Sequence, residues 1–185
     1  RRGDLAEAER WIRRAIELGV DLDDIKSSLA SFAGISRRFN AYSRQLSNNR
    51  RITVIDDYGH HPTELCATLD AIRQGWPDRR LVVVFQPHRY SRTQALFDDF
   101  TRSFYQSNVL LVLPIYSAGE QLIDGVNGHD LCDGILAHGH KEVVCADGIG
   151  SAVRHVQKIL RRGDVLLTLG AGDVWKVGEA VLEKR

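Results

Sequence analysis

From Ile52 onward, short apolar runs alternate with segments whose apolar residues recur at helical spacing. The runs are ITVID from Ile52, LVVVF from Leu81, NVLLVL from Asn108, EVVCA from Glu142 and DVLLTL from Asp164. The helical segments begin at Pro62, and near Thr93, Asp130, Ser151 and Val174; the last four extend to about Tyr105, Ala137, Leu160 and Glu183. Strands that are apolar almost throughout are buried on both faces. Their alternation with amphipathic helices predicts a doubly wound, mostly parallel α/β sheet of Rossmann-like type. Upstream, Leu5, Ala8, Trp11, Ile12, Ala15 and Ile16 fall on one helical stripe that Gly19 ends. Asp21 is placed to cap a second helix running to about Phe32. The expected division is a helical segment over residues 1–33, a polar linker or hinge over 34–51 with a short strand near Phe39 to Tyr42, and the α/β domain over 52–185.

Composition narrows the classes of function. With 25 basic against 24 acidic residues, the chain has no charge excess for wrapping nucleic acid or lying on an acidic membrane. The longest apolar runs, such as Val109 to Leu113, fall far short of the roughly 18 to 20 residues that cross a bilayer, and no signal-peptide pattern is present. Cys66, Cys132 and Cys145 are widely spaced without a CxxC pair, which predicts reduced, mostly buried thiols and a cytoplasmic protein. The chain has no methionine from which translation could begin, so it is expected to be part of a longer protein.

Ligands of doubly wound sheets sit beyond the carboxyl ends of the strands, and two such ends are rich in reactive side chains. The first is Asp56-Asp57-Tyr58-Gly59-His60-His61-Pro62-Thr63-Glu64, in which Pro62 suits a first helical position. The second is Gln86-Pro87-His88-Arg89-Tyr90-Ser91-Arg92-Thr93. Two arginines three residues apart can grip one carboxylate or phosphate through bidentate, charge-assisted hydrogen bonds. Asp56, Asp57, His60, His61 and His88 could also supply metal ligands, but their spacing fits no closed zinc pattern and the arginines favour an anion, so no bound metal is expected. Gly170-Ala171-Gly172-Asp173 lacks the third glycine of a dinucleotide fingerprint and is expected to be a tight turn. His129, His138, His140 and His155 are expected to be structural.

The pair DDYGHHPTE and FQPHRYSRT, each closing a strand of one sheet, resembles the signature of the muramate:alanine branch of the Mur ligases. LASFAGISRRF, YSAGE at Tyr116 to Glu120 and LTLGAGD extend the resemblance over roughly residues 20–180. It implies an ATP-dependent ligase that joins L-alanine to UDP-N-acetylmuramate through an acyl phosphate in bacterial cell-wall synthesis. This chain would be the C-terminal amino-acid-binding domain, preceded by the end of a central ATPase domain. By the same resemblance, Arg38 would reach the ATP phosphates, Asp57 would hold the ATP ribose, and Tyr58, His60, Arg89 and Arg92 would surround alanine, with His60 and Arg38 the catalytic candidates. No GxxxxGK[ST] loop occurs, so the phosphate cradle and the main magnesium ligands would belong to domains outside this chain, which alone would be inactive. The alternative is a free-standing module that uses the same two loops to bind a nucleotide or other anion without catalysis.

Overall fold

The computed structural model describes residues 2–31, 37–45 and 51–182. The chain divides into two compact units, residues 1–35 and 36–185. The first contains helices α1 (Arg2–Glu17) and α2 (Leu22–Ser31). Gly19, at φ +85°, follows α1 in the left-handed conformation that favours glycine, and Asp21 accepts a hydrogen bond from the Asp23 amide at 2.7 Å, as its expected capping role requires. Trp11, Ile16, Leu18, Val20 and Leu22 are exposed.

The second unit is a six-stranded sheet in the order β1-β2-β6-β3-β4-β5. The strands are β1 (Asn40–Gln45), β2 (Arg51–Asp57), β3 (Leu81–Phe85), β4 (Val109–Val112), β5 (Val143–Cys145) and β6 (Val165–Leu169). Only β1 is antiparallel. Part of the segment expected to be linker is therefore an edge strand, longer than the pattern suggested: every residue from Asn40 to Gln45 pairs with β2. The polar sequence disguised its length, because an edge strand needs few apolar residues. The rest of that segment, 34–36 and 46–50, lies outside the described residues.

Helices cover both faces. Helices α3 (Pro62–Gly75), α5 (Phe97–Thr101) and α6 (Gly128–Ala137) pack Leu65, Leu69, Ile72, Phe100, Leu131 and Ile135 against Ile55, Val83, Phe85, Leu110 and Leu167. On the other face, α7 (Ile149–Ile159) and α8 (Trp175–Leu182) pack Ala152, Val156, Val177 and Val181 against Val54, Val82, Leu111 and Leu166. Alternate residues of each strand thus serve opposite cores, which explains the unbroken apolar runs. The helix expected over 93–105 instead begins at Tyr90 as α4 (Tyr90–Ala95) and breaks at Leu96, which leaves helical geometry at ψ 24° before α5 starts. Thr101 and Ser103 donate their hydroxyls to the carbonyls of Asp98 and Asp99, a local competition that suits the end of α5.

The cysteines depart from expectation. Cys66 is free and exposed, whereas Cys132 of α6 and Cys145 of β5 form a disulfide. The β4–α6–β5 crossover lays α6 beside β5 and brings the two Cα atoms to 6.3 Å, a separation that sequence spacing does not reveal. His140 is structural: its Nδ1 accepts from the Glu142 amide, and its Nε2 lies 2.8 Å from the Ser107 hydroxyl.

An ion pair fixes the entry of the two central strands. Asp164, just before β6 and 2% exposed, accepts from Arg80, just before β3, at 3.1 Å and from the Arg161 amide at 2.8 Å. Asp164→Ala would leave a largely buried guanidinium without its carboxylate, bonded to the Ile159 carbonyl. We expect a loss of about 2 to 3 kcal/mol in urea unfolding, with the far-ultraviolet spectrum of the folded chain unchanged. A loss under about 0.5 kcal/mol would show that the pair is dispensable.

Candidate functional site

The register of the three inner strands builds the site. Asp57 pairs with Leu169 and Leu169 with Phe85, so the loops after β2, β6 and β3 leave the sheet side by side. This is where a doubly wound sheet binds its ligand.

Asp57 organises the first loop. Its buried carboxylate accepts from the Gly59 amide at 2.7 Å and the Phe39 amide at 2.8 Å, joining the turn after β2 to the chain that enters β1. A Cβ on Gly59 would lie 2.8 Å from that carboxylate, so glycine is required there. His61 caps α3, with Pro62 in its first turn, and Glu64 completes a capping box by accepting from the amides of His60 and His61 at 2.9 and 3.2 Å. Burial pushes the Glu64 carboxyl up, but those two amides and the neighbouring His60 and Arg38 outweigh it and hold its pKa below the ordinary value. The His60 ring is oriented between the Tyr58 carbonyl at 3.2 Å and Glu64 at 3.5 Å, edge-on to the Tyr58 ring.

The tandem arginines of SRRF part company. Arg37 turns inward and donates to Asp56 at 3.0 Å and to the carbonyls of Gly172 and Gly170 at 2.9 and 2.6 Å. Arg38 stays outside with a half-exposed side chain, 3.6 Å from Glu64 and over the Tyr58 ring. Of the two, Arg38 is the one whose guanidinium remains open to solvent.

The second loop is clamped by the segment after β4. The Arg89 amide donates to the Tyr116 carbonyl and the Tyr116 amide to the Pro87 carbonyl, each at 2.8 Å, while the His88 and Tyr116 rings stack 5.6 Å apart. Arg89 adopts φ +74°, a left-handed conformation that costs a long side chain energy and marks a built feature. Arg92 donates to Nδ1 of His88 at 3.2 Å, which makes that nitrogen an acceptor and leaves the proton of the neutral ring on Nε2. Burial first, then the charges of Arg92, His60 and Arg89, push the His88 pKa below its ordinary value, against a smaller opposing effect of Glu120. The rings of His60 and His88 lie 5.8 Å apart, where the two loops meet.

The glycine turn backs onto the same place. Gln86 donates to Asp173 at 2.9 Å and accepts from the Val174 amide at 3.0 Å. Burial pushes the Asp173 carboxyl up, but Gln86 and Lys176 more than offset it and lower its pKa. A Cβ on Gly172 would lie 2.3 Å from the Gln86 side chain and 2.8 Å from the Tyr116 ring, so GAGD is the close-packed turn that its sequence suggests.

Of the candidate residues, Tyr58, His60 and Arg92 are linked through His88, and Arg38 joins them through Tyr58 and Glu64. Arg89 faces Glu120, and Asp57 lies behind the first loop with its oxygens on two amides. Sequence reading missed the roles of Arg37, Glu64, His88, Tyr116 and Glu120. The x-P-T-E spacing of a capping box could have exposed Glu64; Tyr116 and Glu120 meet the second loop from a different strand, and no local pattern announces that. Among the described residues no group of three or more His, Cys, Asp or Glu side chains is arranged to hold a metal ion. Asp56 is engaged by Arg37 and Thr168, and Asp57 by two amides.

Residues 37–172 match the Mur ligase, glutamate ligase domain. The chain is 57% identical over 167 residues to the UDP-N-acetylmuramate--L-alanine ligase of Desulfosudis oleivorans and 53% identical over 180 residues to that of Desulforapulum autotrophicum. These alignments take in 90% and 97% of this chain but only 36% and 39% of the relatives, so the chain spans little more than a third of their length. Among solved structures, the UDP-N-acetylmuramate-alanine ligase of Thermotoga maritima superposes with a TM-score of 0.66 at 26% identity, over 92% of this chain and 34% of that one. A murein peptide ligase of Psychrobacter arcticus shares the fold, with a TM-score of 0.68 at 21% identity over 92% of this chain and 34% of its own.

The contact between Arg92 and His88 gives the site a measurable titration. In an NMR pH titration the His88 ring should show a midpoint below the ordinary 6.5, and Arg92→Ala should move it upward. Below pH 6.5 the unfolded chain takes up a proton that the folded one refuses. The stability tied to the neutral ring is therefore complete above that value and is lost as the pH falls through the folded pKa. An unchanged midpoint in the variant would remove Arg92 as a cause of the shift.

Proposed function

The chain belongs to the Mur ligase family, and we propose that it is the amino-acid-binding end of a ligase that joins L-alanine to UDP-N-acetylmuramate at the expense of ATP. The observation that carries this reading is the meeting of the two loops at His60 and His88, with Arg92 bound to His88 and Arg89 beside it, at the carboxyl ends of the inner strands. The names of the relatives support it. In the reaction, ATP phosphorylates the muramyl carboxylate and the alanine amine attacks the acyl carbon. The tetrahedral intermediate then expels phosphate, leaving an amide, ADP and phosphate.

Arg89 and Arg92 take the alanine carboxylate, since guanidinium forks match carboxylate geometry. His60, held by the Tyr58 carbonyl and Glu64, orients the amine or receives its proton. Tyr58 forms the wall between that group and Arg38. Arg38 meets charge on the transferring phosphate, and Asp57, buried with its oxygens on the Gly59 and Phe39 amides, holds in place the loop that meets the ATP ribose. Magnesium and the phosphate cradle are supplied by the domains that precede this segment in its relatives, and closure of those domains on the loops excludes water. The protein acts in the cytoplasm in peptidoglycan synthesis; no described helix is long and apolar enough to cross a membrane. The test is a coupling assay of the full-length ligase with UDP-N-acetylmuramate, ATP and each candidate amino acid. Failure to couple alanine would reject the reading.

Arg89→Ala and Arg92→Ala should each lower kcat/KM for alanine by roughly 10- to 150-fold while leaving the ATP KM within a few-fold. Normal alanine kinetics with lost ATP binding would reverse the assignment. Arg38→Ala should mainly lower kcat, because it acts on charge that develops in the transition state, and Asp57→Ala should raise the ATP KM. If both acted only on KM, this division of labour would be wrong.

A further inference from the structure

Glu120 stands on the loop between β4 and α6, 29 positions from Ser91, yet it lies against the loop that carries Arg89 and Arg92. Its Oε1 accepts from the Ser91 hydroxyl at 2.6 Å and its Oε2 from the Ser91 amide at 3.1 Å, and Oε1 is 3.6 Å from the Arg89 guanidinium. The backbone bends to bring it there: Ala118 at φ +50° and Gly119 at φ +86° are successive left-handed residues, and Arg89 opposite is itself at +74°. A non-glycine residue adopts such a conformation at a cost, so on both sides of this contact the fold spends strain to bring carboxylate and guanidinium together. The Ser91 hydroxyl and amide, and more weakly Arg89, hold the Glu120 pKa below its ordinary value. It is therefore an anion at neutral pH.

That charge changes what the loop can accept. Arg89 and Arg92 alone would offer two unopposed cations, a field that rewards a ligand with two carboxylates over a ligand with one. His88 is held neutral beside them and adds no charge of its own. We propose that Glu120 is a specificity-determining residue, whose fixed negative charge offsets one of the two guanidiniums so that the loop takes an amino acid with a single carboxylate and turns away a dicarboxylic one. The proposal rests on the reading that Arg89 and Arg92 bind the amino-acid carboxylate. With the α-carboxylate there, a second carboxylate on the same small molecule stays within the roughly 8 Å over which salt leaves a charge felt, and it meets Glu120 as a like charge.

The test measures, in the full-length ligase, the KM for L-alanine and the inhibition constant of L-aspartate against it. Glu120→Gln keeps the shape and an acceptor oxygen for Ser91 but removes the charge. It should improve aspartate binding relative to alanine by about fivefold or more, and Glu120→Ala should do the same. Ser91→Ala, which removes the short hydrogen bond and leaves the charge, should shift that ratio by less than about twofold. A ratio unchanged in both Glu120 variants, or shifted as far by Ser91→Ala, would overturn the proposal and leave Glu120 as a clamp. Arg92→Ala separates the two levels of the argument. Weakened alanine binding in that variant with an unchanged ratio in Glu120→Gln defeats this inference alone, whereas unimpaired alanine binding defeats the site reading beneath it.

Discussion

The guanidinium of Arg37 ties together pieces of chain that are far apart in sequence. It holds Asp56 at the end of β2 and the carbonyls of Gly170 and Gly172 after β6, 133 and 135 residues away. Its own carbonyl accepts from the Tyr58 amide at 2.6 Å. A charged group taken this far out of water needs its donors satisfied, and this cluster satisfies them with one carboxylate and two backbone carbonyls. The consequence is geometric: with Arg37 turned inward, Arg38 is left outside, and the chain entering β1 passes close enough for Asp57 to accept the Phe39 amide.

From this anchor the remaining loops are set by contacts between strand ends. The turn after β6 rests on Gln86, which opens the loop after β3, and that loop is bridged to Tyr116 beyond β4. Each loop thus braces the next across the sheet. Loops braced in this way are held by the protein's own contacts. The close approaches demand residues without bulk, and among these loops Gly170 and Gly172 occupy the tightest of them.

Charge is distributed as deliberately as shape. Arg37, Arg38 and Arg89 are answered by Asp56, Glu64 and Glu120, each of which contacts a particular guanidinium. His88, with Arg92 on its Nδ1 and, among the described residues, no carboxylate in hydrogen-bonding reach, stays neutral instead. The site can therefore present guanidinium groups to an anion without collecting a large unopposed positive field.

The alternation of apolar runs with helical periods determined the α/β sheet and its parallel strands, because a strand buried on both faces must be apolar throughout. The side chains gathered after Asp56 and after Phe85 likewise marked the two loops that meet at His60 and His88. What the sequence could not decide are the relations set by strand order. Nothing local to β1 shows that a polar stretch pairs with β2, or that β6 inserts between β2 and β3. The adjacent residues Arg37 and Arg38 look alike in sequence, and only the position of the Gly170–Gly172 carbonyls makes one internal and the other available. Cys132 with Cys145, and Ser91 with Glu120, are joined for the same reason. A hydrophobic period records which face of an element is buried, whereas a contact between loops depends on which strands the whole core places side by side.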